Sequence, residues 1–302
     1  MSLLVVGSVA FDSVETPVDK IDKALGGSAT YCSVASSYFS DDVKMVGVVG
    51  EDFGDQNIQM LKNHKIDIAG LDIVKGEKTF SYGCVYRDDM NVRDTLFTDL
   101  NVFEKFDPVI PETMREIPYV LLGNIMPSLQ LKVLDQMTNL KFSVCDTMNL
   151  WIDITRDDLL KVIERVNLLV INDSEAKMLA DEGNLIKAAK KVMAMGPEYL
   201  IIKKGEHGAL LFGEGKIFSA PAYPLETVFD PTGAGDSFAG GFLGNLINAD
   251  EISFETMKKA ILYGSTLASF CVEKFSTKGI EKLSTETIEG RFNEFINLSR
   301  VD

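Results

Sequence analysis

The sequence predicts an α/β protein: a mostly parallel sheet with helices on both faces, plus a small antiparallel β lid. Three observations predict it. From residue 109 onward, short apolar runs alternate with helix-length segments, the pattern of repeated βα units. Residues 66–103 instead alternate apolar and polar positions between turn signals, as small antiparallel sheets do. Glycines and polar residues gather where the apolar runs end, and in a doubly wound sheet those ends share one rim.

In chain order, Leu3–Val9 is apolar and β-branched, as a buried parallel strand is, and Asp12 falls just past its end. Residues 15–25 are mixed and read as loop. Gly26-Gly27 precede a small-residue helix over Ser28–Phe39, with Ser28 as its N-cap. Val43–Val49 is a second buried strand, and Asp55–His64 a helix. Ile66–Val74, Thr79–Arg87 and Val92–Thr98 form the small sheet, with turns at Lys75-Gly76 and Asp88-Asp89. Strands then follow at Tyr119–Leu122, Lys141–Cys145, Asn167–Ile171 and Tyr199–Ile202, with helices at Ser128–Met137, Arg156–Arg165 and Asn184–Met195 between them. Ala209–Phe212 and Lys216–Ser219 make a hairpin through Gly213-Glu214-Gly215, and the remainder is helical over Ala234–Ile247, Phe254–Cys271 and Thr285–Leu298.

Composition narrows the function. A net charge of −15 argues against a nucleic-acid partner, because that binding needs clustered Lys and Arg. The apolar runs are strand-sized, short of the ~20 residues a membrane span needs. No secretory signal precedes Leu3, so a cytoplasmic setting is expected. Cys32, Cys84, Cys145 and Cys271 are far apart in apolar contexts, which reads as buried free thiols rather than a zinc site.

The chemistry centres on Asp230-Pro231-Thr232-Gly233-Ala234-Gly235-Asp236, a glycine-rich turn that opens a helix. Such a turn offers unpaired N–H groups at the positive end of the helix dipole, a ready anion site. An aspartate there repels phosphate, but it makes sense as the base for a group that attacks phosphate. No Walker A loop, dinucleotide fingerprint or protein-kinase loop set occurs in the chain. Asn172 and Glu175 have the spacing of a capping box and could also stand at a phosphate–Mg²⁺ end. Lys204, Gly205 and Gly208 lie in a loop after a strand, which reads as a tight turn or as backbone against a nucleotide.

This ordered set resembles the ribokinase-like carbohydrate kinase (PfkB) family along nearly the whole chain. The Asp230–Asp236 stretch is similar to the family's late signature. Gly7–Asp12 resembles its first strand, Gly26-Gly27 its hinge, Gly50-x-Asp52-Phe53-Gly54 a further marker, and Asn172-x-x-Glu175 and Lys204-Gly205-x-x-Gly208 its nucleotide-side motifs. The resemblance implies a three-layer sandwich over 1–302 with a lid drawn from about 12–20 and 66–103, a lid that in relatives also mediates dimers. It implies Asp236 as catalytic base and Gly233, Ala234 and Gly235 as anion hole. Acceptor binding would fall to Asp12, Gly26, Gly27 and Tyr31. Nucleotide binding would fall to Asn172, Lys204, Gly205, Gly208 and Thr232, and magnesium to Glu175. ATP and Mg²⁺ are the implied cofactors, with a monovalent cation near Asp230 in some relatives. Pro231 stands within the signature. Tyr31 takes the place where ribose-type members carry Asn, and a phenol cannot reproduce an amide's donor–acceptor pair. Asp146–Trp151 lacks the arginine of the family's middle element, which argues against a phosphorylated sugar. The expected activity is ATP-dependent phosphorylation of a primary hydroxyl of a sugar or sugar-like alcohol. The alternatives are a nucleoside kinase and a catalytically silent ligand-binding member.

Overall fold

The computed structural model describes residues 1–298 and 300. Residues 299, 301 and 302, the end of the expected 1–302 span, lie outside the described residues. The elements are β1 (Leu3–Val6), β2 (Ala10–Glu15), β3 (Lys20–Gly26), α1 (Ser28–Ser37), β4 (Val43–Gly50), α2 (Gly54–Asn63), β5 (Asp67–Val74), β6 (Phe80–Tyr86) and β7 (Arg93–Asp99). There follow β8 (Tyr119–Leu122), α3 (Pro127–Gln136), β9 (Phe142–Asp146), α4 (Asn149–Ile154), α5 (Arg156–Ile163), β10 (Leu168–Asn172), α6 (Asp173–Ala180), α7 (Leu185–Met193) and β11 (Tyr199–Lys203). The chain closes with β12 (Ala209–Gly213), β13 (Lys216–Ala220), α8 (Ala234–Leu246), α9 (Phe254–Cys271) and α10 (Thr285–Leu298).

Among the described residues, nine strands form one sheet in the order β13-β12-β11-β10-β9-β8-β1-β4-β5. The run from β11 to β5 is parallel, and β12 and β13 close one edge as an antiparallel hairpin. Successive residues of one strand serve different cores. Leu3 and Val5 face the layer of α1, α8 and α9, while Leu4 and Val6 face the layer of α3, α5, α6 and α7. Burial on both faces explains why these strands read as unbroken apolar runs. Each such fully buried side chain stabilises the fold by roughly 1.5–3 kcal/mol.

Four expectations are corrected. Residues 66–74 are not in the lid: β5 pairs in parallel with β4 at the edge of the main sheet. The segment read as loop contains β3, which pairs with β2. The first strand stops at Val6, and Asp12 stands on β2 rather than just past β1. The turn at residues 7–9 is what redirects the chain: Gly7 accommodates Ser28, and a methyl group there would lie 2.5 Å from Ser28 Oγ. Ser28 is not the N-cap of α1 either. Gly27 is, at φ +92°, a conformation that favours glycine. Ser28 instead exchanges hydrogen bonds with Ser8, with Ser8 N to Ser28 Oγ at 3.1 Å and Ser28 N to Ser8 Oγ at 3.0 Å.

The lid sheet has the order β3-β2-β6-β7, two antiparallel pairs joined by one parallel pairing. It carries its own small core of Val14, Cys84 and Tyr86. Chain order turns back between β1 and β8, where the β1–β4–β5 run and the β8–β11 run diverge. That switch point opens the crevice in which ligands of such sheets bind.

Candidate active site

Helix α8 arrives over this crevice because its face is stripped to small residues. Gly240 and Gly244 let its backbone lie against Cys32 and Ser36 of α1. Its entry turn is fixed by Asp230, which is 1% exposed. Asp230 Oδ1 accepts from Thr232 N (2.9 Å) and Oδ2 from Ser276 N (3.1 Å). Gly233 caps the helix at φ +78°. A methyl group on it would overlap the ring of Tyr31. Among the described residues the N–H groups of Gly233, Gly235 and Asp236 have no protein acceptor. Ala234 differs from its expected role, because its N–H already turns back to Pro231 O at 3.2 Å.

Asp236 stands in the first turn of α8 with Oδ1 buried and unpartnered. Burial and the neighbouring Asp146 carboxylate hold its pKa above the usual carboxylate range, against the pull of Lys203 and Arg93. Asp12 approaches from the lid. It is 6% exposed, and its carboxylate fills the space in front of Gly26, where any side chain would overlap it. Burial, with Asp230 and Asp236 nearby, pushes Asp12 up to about 7 despite a hydrogen bond from the Gly27 amide. Carboxyl groups that favour protonation near neutrality in a crevice mark a functional site.

At the sheet rim, Asn172 and Glu175 form the expected capping box, each side chain accepting from the other's backbone N–H at 2.8 Å. Glu175 is 8% exposed and pushed up to about 7, chiefly by desolvation. Lys203, at the end of β11, bonds Asp146 at 3.2 Å and 3.4 Å. Neither residue is assigned a part in the site by the sequence pattern. Both sit at strand ends, the one signal that could have selected them.

Gly205 and Gly208 shape the loop after β11 with φ of +52° and +82°. Lys204 N donates to Gly208 O at 2.8 Å to close it. The lid's β6–β7 turn touches this loop, as Asn91 Nδ2 donates to Glu206 at 2.8 Å. Thr232 faces the lid as well, with Oγ1 3.3 Å from Tyr86 Oη. Arg93 on β7, not singled out from the sequence, donates to Tyr82 Oη at 3.1 Å and acts electrostatically on Asp12, Glu175 and Asp236. Tyr31, expected at the acceptor, is 1% exposed beneath Gly233, where its ring supports the turn.

The four cysteines are free and buried. Among the described residues no helix is long and apolar enough to cross a membrane.

The model of the pfkB family carbohydrate kinases matches residues 2–283. A cytidine kinase of Thermococcus kodakarensis is 30% identical, over 80% of this chain and 87% of the relative. A solved nucleoside kinase of Methanocaldococcus jannaschii, an archaeal member of the ribokinase family, superposes with a TM-score of 0.77 at 22% identity, covering 97% of this chain and 99% of its own. Arabidopsis thaliana ribokinase, solved with ribose and ATP, superposes with a TM-score of 0.76 at 18% identity, over 96% of this chain and 98% of its own. The chain thus belongs to the pfkB family of carbohydrate kinases, and its reaction is ATP-dependent phosphoryl transfer to a hydroxyl of a sugar or nucleoside.

Proposed function

We propose that the acceptor is a nucleoside phosphorylated at its 5′-hydroxyl, with Asp236 as the base. The observation that carries the mechanism is a buried, unpartnered carboxylate oxygen in the same helical turn as amides without acceptors. Asp236 takes the proton of the attacking hydroxyl. The oxygen bonds the γ-phosphorus, the bond to the β–γ bridging oxygen breaks, and ADP leaves with that electron pair. The amides of Gly233 and Gly235 meet charge on the transferring group, the largest single term in many such reactions. Asp12 holds acceptor hydroxyls under the lid, and Gly26 and Gly27 let the lid strand come close. The loop Lys204–Gly208 and Asn172 border the nucleotide.

The choice of a nucleoside over a free sugar is supported by the cytidine kinase relative. It is also supported by the lid, where Arg93 lies 5.9 Å from the Tyr82 ring centroid. That pair suits a flat base rich in acceptors.

Among the described residues no group of three or more His, Cys, Asp or Glu could hold a metal. Magnesium, which usually keeps waters and takes few carboxylates, fits Glu175, whose second oxygen is free of backbone bonds. When bound, it neutralises charge on the phosphates. For a monovalent cation near Asp230 the fit is poorer, since both oxygens already accept backbone N–H groups. The exposed edge strand β7, with Leu96 61% and Phe97 37% exposed, supports a homodimer through the lid; sedimentation as a monomer at micromolar concentration refutes it.

ADP release over cytidine, uridine, adenosine, inosine, ribose and fructose tests the acceptor. Turnover on a nucleoside well above that on ribose is expected, and the reverse order overturns the nucleoside reading.

A further inference from the structure

Around Lys203 stand three carboxylates, Asp146, Glu175 and Asp236, and each acts electrostatically on its ammonium. A triphosphate entering there meets net negative charge unless a cation is placed to receive it. Lys203 is so placed. It lies in register with Asn172 of β10, so its stem leaves the sheet at the rim. A methyl group on Gly235 would lie 2.8 Å from Nζ, which puts the ammonium against the anion turn. Its side chain is 18% exposed and that of Asp146 is 7% exposed. An ammonium has three donors; among the described residues Asp146 is the one hydrogen-bond partner of Nζ.

We propose that Lys203 is a catalytic residue: its ammonium contacts an oxygen of the transferring phosphoryl group beside the Gly235 amide, and Asp146 positions it. A lysine binds phosphate as a point charge rather than as a fork, so it can serve without a glycine loop wrapped around it. Gly235 is needed for this geometry, because any side chain would press on the ammonium. The inference rests on the phosphoryl-transfer reading above.

The test uses Lys203→Met, Lys203→Arg and the double variant Asp146→Asn/Lys203→Met, which leaves no unpaired carboxylate at 146. Thermal melting, turnover, acceptor affinity and calorimetric affinity for Mg²⁺ with the β,γ-imido analogue of ATP are measured on each. Turnover should fall about 10²–10³-fold in Lys203→Met, as on loss of one donor to a transition-state oxyanion. Analogue affinity should fall about tenfold or more, the cost of one charge-assisted contact, while acceptor affinity stays near the wild-type value. The double variant should regain melting temperature but not turnover. Turnover restored in the double variant, or acceptor and analogue affinity lost equally, would overturn the proposal. Failure of all three to fold would place the pair in the scaffold and overturn it too. A wild type that releases no ADP with any acceptor refutes the kinase reading itself. An active wild type with an unimpaired double variant refutes only the role of Lys203.

Discussion

Asp236 and Asp12 are both buried carboxylates raised above the ordinary range, yet one stands on a body helix and the other on a lid strand. Asp236 is balanced by Lys203 and by Arg93 from the lid, next to a turn that two backbone bonds to Asp230 hold still. Asp12 has the Gly27 amide and Arg93 on its side, and Asp230 and Asp236 against it. The body therefore presets charge and donors before anything binds. In the proposed function the lid supplies a carboxyl group that acts when acceptor hydroxyls fill the space around it. On the proposed reading, transfer chemistry and acceptor choice reside on separate elements, joined by contacts such as Tyr86–Thr232 and Asn91–Glu206.

The largest expected effect breaks that comparison at the base. Asp236→Asn should lower turnover about 10³–10⁴-fold with acceptor affinity retained, in line with loss of a general base. Asp12→Asn should instead raise the acceptor KM more than it lowers turnover. Equal kinetic signatures for the two would show that the roles are not separate.

Next comes the turn. Gly233→Ala forces a side chain into φ +78° and onto the Tyr31 ring. Turnover should drop about 10²-fold by displacing donors, with melting lowered by the strain. A mutant with wild-type kinetics would remove Gly233 from the anion hole.

The effect of pH should be moderate and opposite in sign for stability and activity. Asp12 and Glu175 are raised to about 7 from ordinary values of 3.8 and 4.5. The folded form therefore binds their protons more tightly than the unfolded chain. Their contribution to stability is complete below the unfolded values and is lost as pH rises through about 7. Melting temperature should be higher at acid pH than at alkaline pH across that window, and Asp12→Asn with Glu175→Gln should flatten the slope. Turnover should climb with pH over the same range, since the base must be ionised. A melting curve that rises with pH through this window would contradict the burial of these groups.

The smallest effect is expected at Tyr31. Its hydroxyl is buried without a partner, and a buried polar group left unpaired costs about 1–3 kcal/mol. Tyr31→Phe should leave acceptor KM within about twofold and melting unchanged or raised, consistent with that cost removed. A large rise in KM would return Tyr31 to the acceptor site.

Much of the fold was legible because its signals are local. Unbroken apolar strands, the capping box Asn172–Glu175 and the turn at Asp230–Asp236 are set by neighbours in sequence. Strand assignment failed where period alone could not choose a partner, as for Asp67–Val74, whose exposed edge looks the same in either sheet. Site reading failed in the same way: which cation meets which carboxylate depends on strand order.

Local sequence is enough to place a glycine turn at the start of a helix beside a carboxylate, and to bring the polar ends of the βα units to one rim. Turn chemistry and side-chain periodicity act over a few residues, so they can be read without the fold. The packing of the whole chain is what makes Lys203 meet Asp146 and lays Tyr31 beneath Gly233. Those contacts join residues far apart in sequence. They exist because the sheet order puts β9 and β11 on either side of β10, and because helix α8 packs down on α1.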